Sequence, residues 1–191
     1  NTFFRKHFMI ESEIPGILVA MPSLENTYFE KSIILLCNYN SEGAFGLIMN
    51  RPSPTKVNEL ITPELKNKKE FNTPILLGGP VEPNSFWAIH SSEIIIQDTT
   101  KISTKLNLSS AQEILKFLSK GHKINSYQFG IGYSGWGPGQ LDNEINQESW
   151  WLGPLDESIL IELEYELRWD KTMETLGFDL LNTTFSQTGM V

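Results

Sequence analysis

Ser32-Ile-Ile-Leu-Leu-Cys37 and Ala44-Phe-Gly-Leu-Ile-Met49, joined through Asn40-Ser-Glu-Gly43, decide the fold class. The first run is apolar at successive positions instead of alternating, which marks a central strand covered on both faces. The gap is too short for a crossover helix, so the two runs pair as an antiparallel hairpin. Working outward, Gly16 to Ala20 is a strand that ends at Pro22. Ile75 to Leu77, Phe86 to Ile89 and Glu93 to Gln97 read as further strands between Gly, Pro, Asn and Ser punctuation. The short connections exclude a doubly wound parallel sheet.

Helices come later in the chain. Ser110 to Lys120 carries Ala111, Ile114, Leu115 and Leu118 on one face, with Ser109 and Gln112 as a capping box and Gly121 as the stop. A strand over Tyr127 to Tyr133 follows, then a helix from Pro138 to Ile145 with Pro138 at its first position. A last helix, Glu166 to Leu176, aligns Trp169, Met173 and Leu176 and stops at Gly177. The expectation is an α+β fold: a mainly antiparallel sheet, open to barrel-like closure, with several packed helices in one compact domain. Residues 1–14 form an N-terminal arm whose helical character is left open.

Composition narrows the function classes. The chain has 191 residues, 40% of them hydrophobic and 20% charged, so it can bury a core of its own. Its net charge of −8 argues against direct DNA binding. The one basic cluster, Lys66, Lys68 and Lys69, reads as a solvated loop. The single cysteine, Cys37, excludes an internal disulfide and sits in an apolar run as a small core residue. His7, His90 and His122 lie far apart, so no metal and no cofactor is expected. No apolar run reaches the ~20 residues of a membrane span. The start has no signal-peptide core, and the cytoplasm is the expected location.

Gly130-Ile-Gly132-Tyr-Ser-Gly135 matches a dinucleotide fingerprint by letters only, because its glycines alternate inside a strand. Trp136 stands where a nucleophile elbow around Ser134 needs glycine. Gly135-Trp-Gly-Pro-Gly-Gln-Leu-Asp-Asn-Glu144 is more informative. Gly135, Gly137 and Gly139 read as holding a backbone closed to other residues, with Trp136 as the anchor. A helix start beside them is either an anion cradle or a tight structural corner. Gln140 and Glu144 share one helical face. Asn50, Arg51, the Gly78-Gly79 turn and His90 complete the candidate ligand-binding set: Asn50, Arg51, Gly78, Gly79, His90, Gly135, Trp136, Gly137, Gln140 and Glu144.

Taken in order, Pro15-Gly-Ile-Leu-Val-Ala-Met-Pro22, Phe29 with Lys31-Ser-Ile33, Gly43-Ala-Phe-Gly46, Asn50-Arg51-Pro52, Gly78-Gly-Pro-Val81, Gly132-Tyr-Ser-Gly-Trp-Gly-Pro-Gly-Gln-Leu141 with Glu144 and Trp150, then Arg168-Trp169 and Leu176-Gly177 resemble the bacterial AlgH/YqgE-like family. The resemblance covers Pro15 to Val191. It implies a single α+β domain over residues 15–191, in a cytoplasmic protein of a family whose function is uncharacterised. Some members carry a transcriptional-regulator label. Ser134 stands where the family usually has Ala, which weakens it further as a nucleophile.

No triad, metal set or Walker loop is legible. The reading is therefore a non-catalytic binding or regulatory protein with a small-molecule or protein partner. The alternative is an enzyme with an unrecognised small-molecule site at the Gly-rich turns, with Glu144 as its base.

Overall fold

The computed structural model describes residues 16–63 and 71–178. The expected N-terminal arm and the Lys66, Lys68 and Lys69 cluster lie outside the described residues. β1 (Gly16–Ala20), β2 (Ile33–Asn40) and β3 (Gly43–Ile48) form an antiparallel meander, with Asn40 opposite Gly43 at the hairpin. The register shifts between Leu36 and Asn38, a bulge that bends the hairpin.

β2 is apolar from Ile33 to Cys37 because both of its faces are covered there. Ile33 and Leu35 enter one cluster with Leu160, Trp169 and Met173. Ile34 and Leu36 enter another, with Trp136, Leu141 and Trp150. β1 divides its residues in the same way: Ile17 and Val19 to the first, Leu18 and Ala20 to the second.

β4 (Pro52–Lys56) and α1 (Val57–Leu60) follow, then β5 (Pro74–Leu77), β6 (Val81–Ser91), β7 (Thr100–Lys101) and β8 (Leu106–Ser110). α2 (Ala111–Ser119) packs Ala111, Ile114 and Leu118 onto a third cluster with Phe71, Ala88 and Phe129. β9 (Tyr127–Trp136), α3 (Gln140–Asn146), β10 (Trp150–Pro154), α4 (Glu157–Glu162) and α5 (Arg168–Thr175) complete the chain.

The sheet runs β10-β1-β2-β3-β9-β6-β8-β7 and curls into a half-barrel in one compact α+β domain. β9 is its pivot. Residues 127–131 pair antiparallel with β6, and residues 134–136 pair antiparallel with β3. Its middle also pairs parallel with β5, through Leu76↔Gly130 and Leu77↔Ile131.

Four local expectations are corrected. Glu93 to Gln97 is not a strand, because its backbone is held by side chains: Asn107 Nδ2 donates to the Ile94 carbonyl at 3.0 Å and Ile96 N donates to Thr99 Oγ1 at 2.8 Å. α2 is capped by Ser110, which accepts from Glu113 N at 3.4 Å, so Ser109 is not the cap. β9 runs on to Trp136, past the expected end at Tyr133. α3 begins at Gln140 behind a left-handed Gly139 (φ 72°), so Pro138 lies outside the helix.

Candidate functional site

Trp136 ends β9 and Trp150 opens β10, and the two indoles meet edge to face with centroids 5.9 Å apart. Both donate to a single atom, Glu144 Oε2: Trp136 Nε1 at 2.8 Å and Trp150 Nε1 at 2.9 Å. Glu144 Oε1 accepts from Gln140 Nε2 at 2.9 Å, one helical turn away on α3. Gln140 Oε1 in turn accepts from Gly137 N at 3.1 Å. The circuit ties the β9 end, the α3 face and the edge strand together. Three donors thus hold the carboxylate, two on Oε2 and one on Oε1, out of its roughly four acceptor sites.

The three glycines of this segment differ. Only Gly139 is left-handed, and a Cβ there would meet nothing within 4 Å. Gly135 sits inside the strand, and an added Cβ at Gly137 would meet only Gln140 Oε1, at 3.9 Å. The expectation that all three need a backbone closed to other residues holds for Gly139 alone.

Gly78 and Gly79 serve close approach of backbones. A Cβ on Gly79 (φ 154°) would lie 2.1 Å from the Tyr133 carbonyl carbon, and one on Gly78 would lie 2.4 Å from the Gly132 carbonyl oxygen. The buried Ser134 hydroxyl donates to the Gly78 carbonyl at 3.2 Å.

His90 is fully buried on β6. Its Nε2 is 2.9 Å from Ser109 Oγ and its Nδ1 is 3.0 Å from the Ser91 carbonyl oxygen. Desolvation lowers its pKa below 6.5, against the raising effects of the Ser91 carbonyl and of Glu93 and Asp98. His90 pairs with Tyr127, nine residues along β9 from Trp136, so about 30 Å of strand separates it from the Glu144 circuit.

Asn50 and Arg51 occupy a further place, the turn between β3 and β4. Asn50 Oδ1 accepts from Ile33 N at 2.9 Å while its Nδ2 donates to the Lys31 carbonyl at 2.8 Å. This clamp holds Lys31 left-handed, with φ 51°. Arg51 lies on the Tyr28 ring, its Cζ 4.8 Å from the centroid, and its Nη2 donates to Ser32 Oγ at 3.0 Å. Lys31 Nζ sits 5.4 Å from the centroid of the Trp169 ring. Asn50, Arg51, Lys31 and Trp169 line a polar cleft of about 220 Å³, with Glu30, Glu166 and Asp170 on its walls.

The candidate residues are thus brought together in four places: the Glu144 circuit, the Gly78-Gly79 contact, the His90 network and the Arg51 cleft. Lys31 and Trp169 were not among them. Their motifs, Lys31-Ser-Ile33 and Arg168-Trp169, were visible, but the contact that joins them is tertiary. Beside the cleft, Arg168 is buried and donates to the Met49 carbonyl and, through Nε at 3.0 Å, to the Leu163 carbonyl. Desolvation lowers its pKa to about 10.

This fold and these motifs define an AlgH-like protein, and the model of the AlgH-like family matches residues 17–181. A UPF0301 protein of Shewanella loihica is 34% identical over 168 residues, covering 86% of this chain and 91% of the relative. Another, from Methylococcus capsulatus, is 33% identical over 175 residues, covering 90% and 93%. The solution structure of the AlgH protein from Pseudomonas aeruginosa matches with TM-score 0.75 at 28% identity, over 96% of this chain and 98% of that one. A crystal structure from Corynebacterium diphtheriae shares the fold at TM-score 0.68 and 22% identity, over 91% and 92%. The chain belongs to the AlgH-like family of uncharacterised bacterial proteins.

Proposed function

We propose that this protein is a non-catalytic binding protein of regulatory type, and that the Arg51 cleft is its recognition site. One observation carries the reading: Arg51 is a half-buried cation, fixed by Tyr28 and Ser32, that opens into a cleft without entering an ion pair among the described residues. Its Nε and Nη1 groups make no hydrogen bond among the described residues. A guanidinium held this way is preorganised for a ligand, because its ordering cost is met by the fold.

Four described side chains of the kinds suited to bond-making are otherwise employed. Glu144 holds two indoles, His90 and Ser134 are buried in structural hydrogen bonds, and desolvation pushes the Cys37 thiol up to about 12. The three carboxylates on the cleft walls, with the net charge of −8, speak against a nucleic-acid phosphate backbone as the partner.

A thermal-shift screen of a metabolite library, run on wild type and Arg51→Ala, tests the reading. Stabilisation by a compound in wild type that is lost in Arg51→Ala is the expected result. Turnover of any compound by wild type, abolished by Glu144→Gln, would overturn it in favour of an enzyme.

A further inference from the structure

We propose that the cleft takes a small zwitterion of the free amino-acid class, its carboxylate held by Arg51 and Lys31 and its ammonium by Glu166 and Asp170. The inference deepens the binding reading above and rests on it.

The cations come first. Lys31 and Arg51 both line the cleft, and neither joins an ion pair among the described residues although three carboxylates share the walls. Each is oriented by an aromatic face, Lys31 by Trp169 and Arg51 by Tyr28. Lys31 has a left-handed backbone, a conformation unfavourable for a non-glycine residue. The two hydrogen bonds of Asn50 hold that backbone in place. The free N–H groups of Arg51 fit the fork of a carboxylate.

The carboxylates then decide between an anion and a zwitterion. Glu30 Oε2 already accepts from Asn26 N at 2.9 Å. Glu166 and Asp170 are four residues apart, lead into and lie on α5, and are exposed. The five charged groups on the lining sum to −1: two cations against three carboxylates. A phosphate or a simple carboxylate would meet net repulsion, and a simple cation would meet Arg51 and Lys31. A ligand carrying both signs satisfies both sets. The volume of about 220 Å³ lies below the roughly 300–1,000 Å³ of sites for drug-sized molecules. That size suits a single amino acid.

The test is a titration followed by the indole N–H resonance of Trp169, whose Nε1 is fixed at 3.0 Å on the Ala20 carbonyl. The probes are the free amino acids, their N-acetyl and C-amide forms, sodium acetate and inorganic phosphate. At least one free amino acid is expected to shift the resonance saturably below about 10 mM, a weak but measurable affinity. N-acetylation and amidation are each expected to weaken it at least tenfold. Arg51→Ala should abolish the shift. Asp170→Asn, on an exposed position, should shrink the difference between the free and N-acetyl forms.

Acetate or phosphate binding as tightly as any amino acid would overturn the zwitterion while leaving the binding reading intact. The absence of any saturable amino-acid shift overturns the inference outright. The metabolite screen then decides the broader reading separately.

Discussion

Glu144→Ala should destabilise the domain by about 2–4 kcal/mol. The substitution leaves two indole donors without an acceptor, and both rings are nearly sealed: Trp150 is 2% exposed and Trp136 is 7% exposed. An orphaned buried donor costs about 1–3 kcal/mol. Glu144 is itself only half-buried, so water entering the vacated space restores part of each loss. That places each indole at about 1–2 kcal/mol. In a chain of this size the sum corresponds to a melting temperature lower by roughly 4–16 °C. Glu144→Gln keeps one acceptor oxygen but sets its amide NH₂ against that of Gln140, and should cost about 1 kcal/mol. Urea melts give the free energies, with an unchanged slope expected. A double-mutant cycle with Trp150→Phe isolates the second indole and should return a coupling of about 1–2 kcal/mol. A loss under about 0.5 kcal/mol for Glu144→Ala, the range of ordinary surface changes, would refute the circuit as a structural tie.

Three further expectations follow from local geometry. Gly79→Ala should lose more than about 3 kcal/mol, Gly139→Ala about 1–2 and Gly137→Ala under about 0.5, read from denaturant midpoints; equal losses at the three sites would contradict the backbone contacts described. For His90 the sign is set by its lowered folded pKa: the unfolded chain binds the proton more readily, so the stability contribution is whole above pH 6.5 and declines as pH falls below it. Melts at pH 7.5 and 5.5 should show a smaller loss in His90→Gln than in wild type, and identical losses would rule the effect out. Although part of Cys37 reaches the surface, desolvation of its sulfur raises the thiol to about 12, so a disulfide reagent at pH 8 should label it slowly when folded and rapidly in urea.

What the sequence disclosed was governed by distance along the chain. The β2–β3 hairpin and α2 are local, and their patterns are visible in apolar runs, turn residues and a helical stripe. Gln140 and Glu144 share a face for the same reason, since a helix places residues four apart side by side. β10 escaped notice because Trp150-Trp-Leu-Gly-Pro154 does not alternate, and its order comes from pairing with β1 far away. Ile94 to Ile96 misled in the opposite direction: three β-branched residues suggested a strand, and side-chain bonds to the backbone prevailed. The second indole on Glu144, and the meeting of Lys31 with Trp169, depend on folding the ends of the domain together. No spacing rule reports such contacts.

The pairing of β1 with β10 also has a consequence in time. Ala20 lies opposite Trp150 and Gly16 opposite Pro154, so β1, once it has left a ribosome, waits for a neighbour made roughly 130 residues later. At about 5–20 residues per second, that wait is on the order of 10 s. Throughout it β1 carries an open edge, and the acceptor that seals Trp136 has yet to meet its second indole. A nascent chain at that stage is a strand template in search of a neighbour, the state in which cellular holdases find their clients.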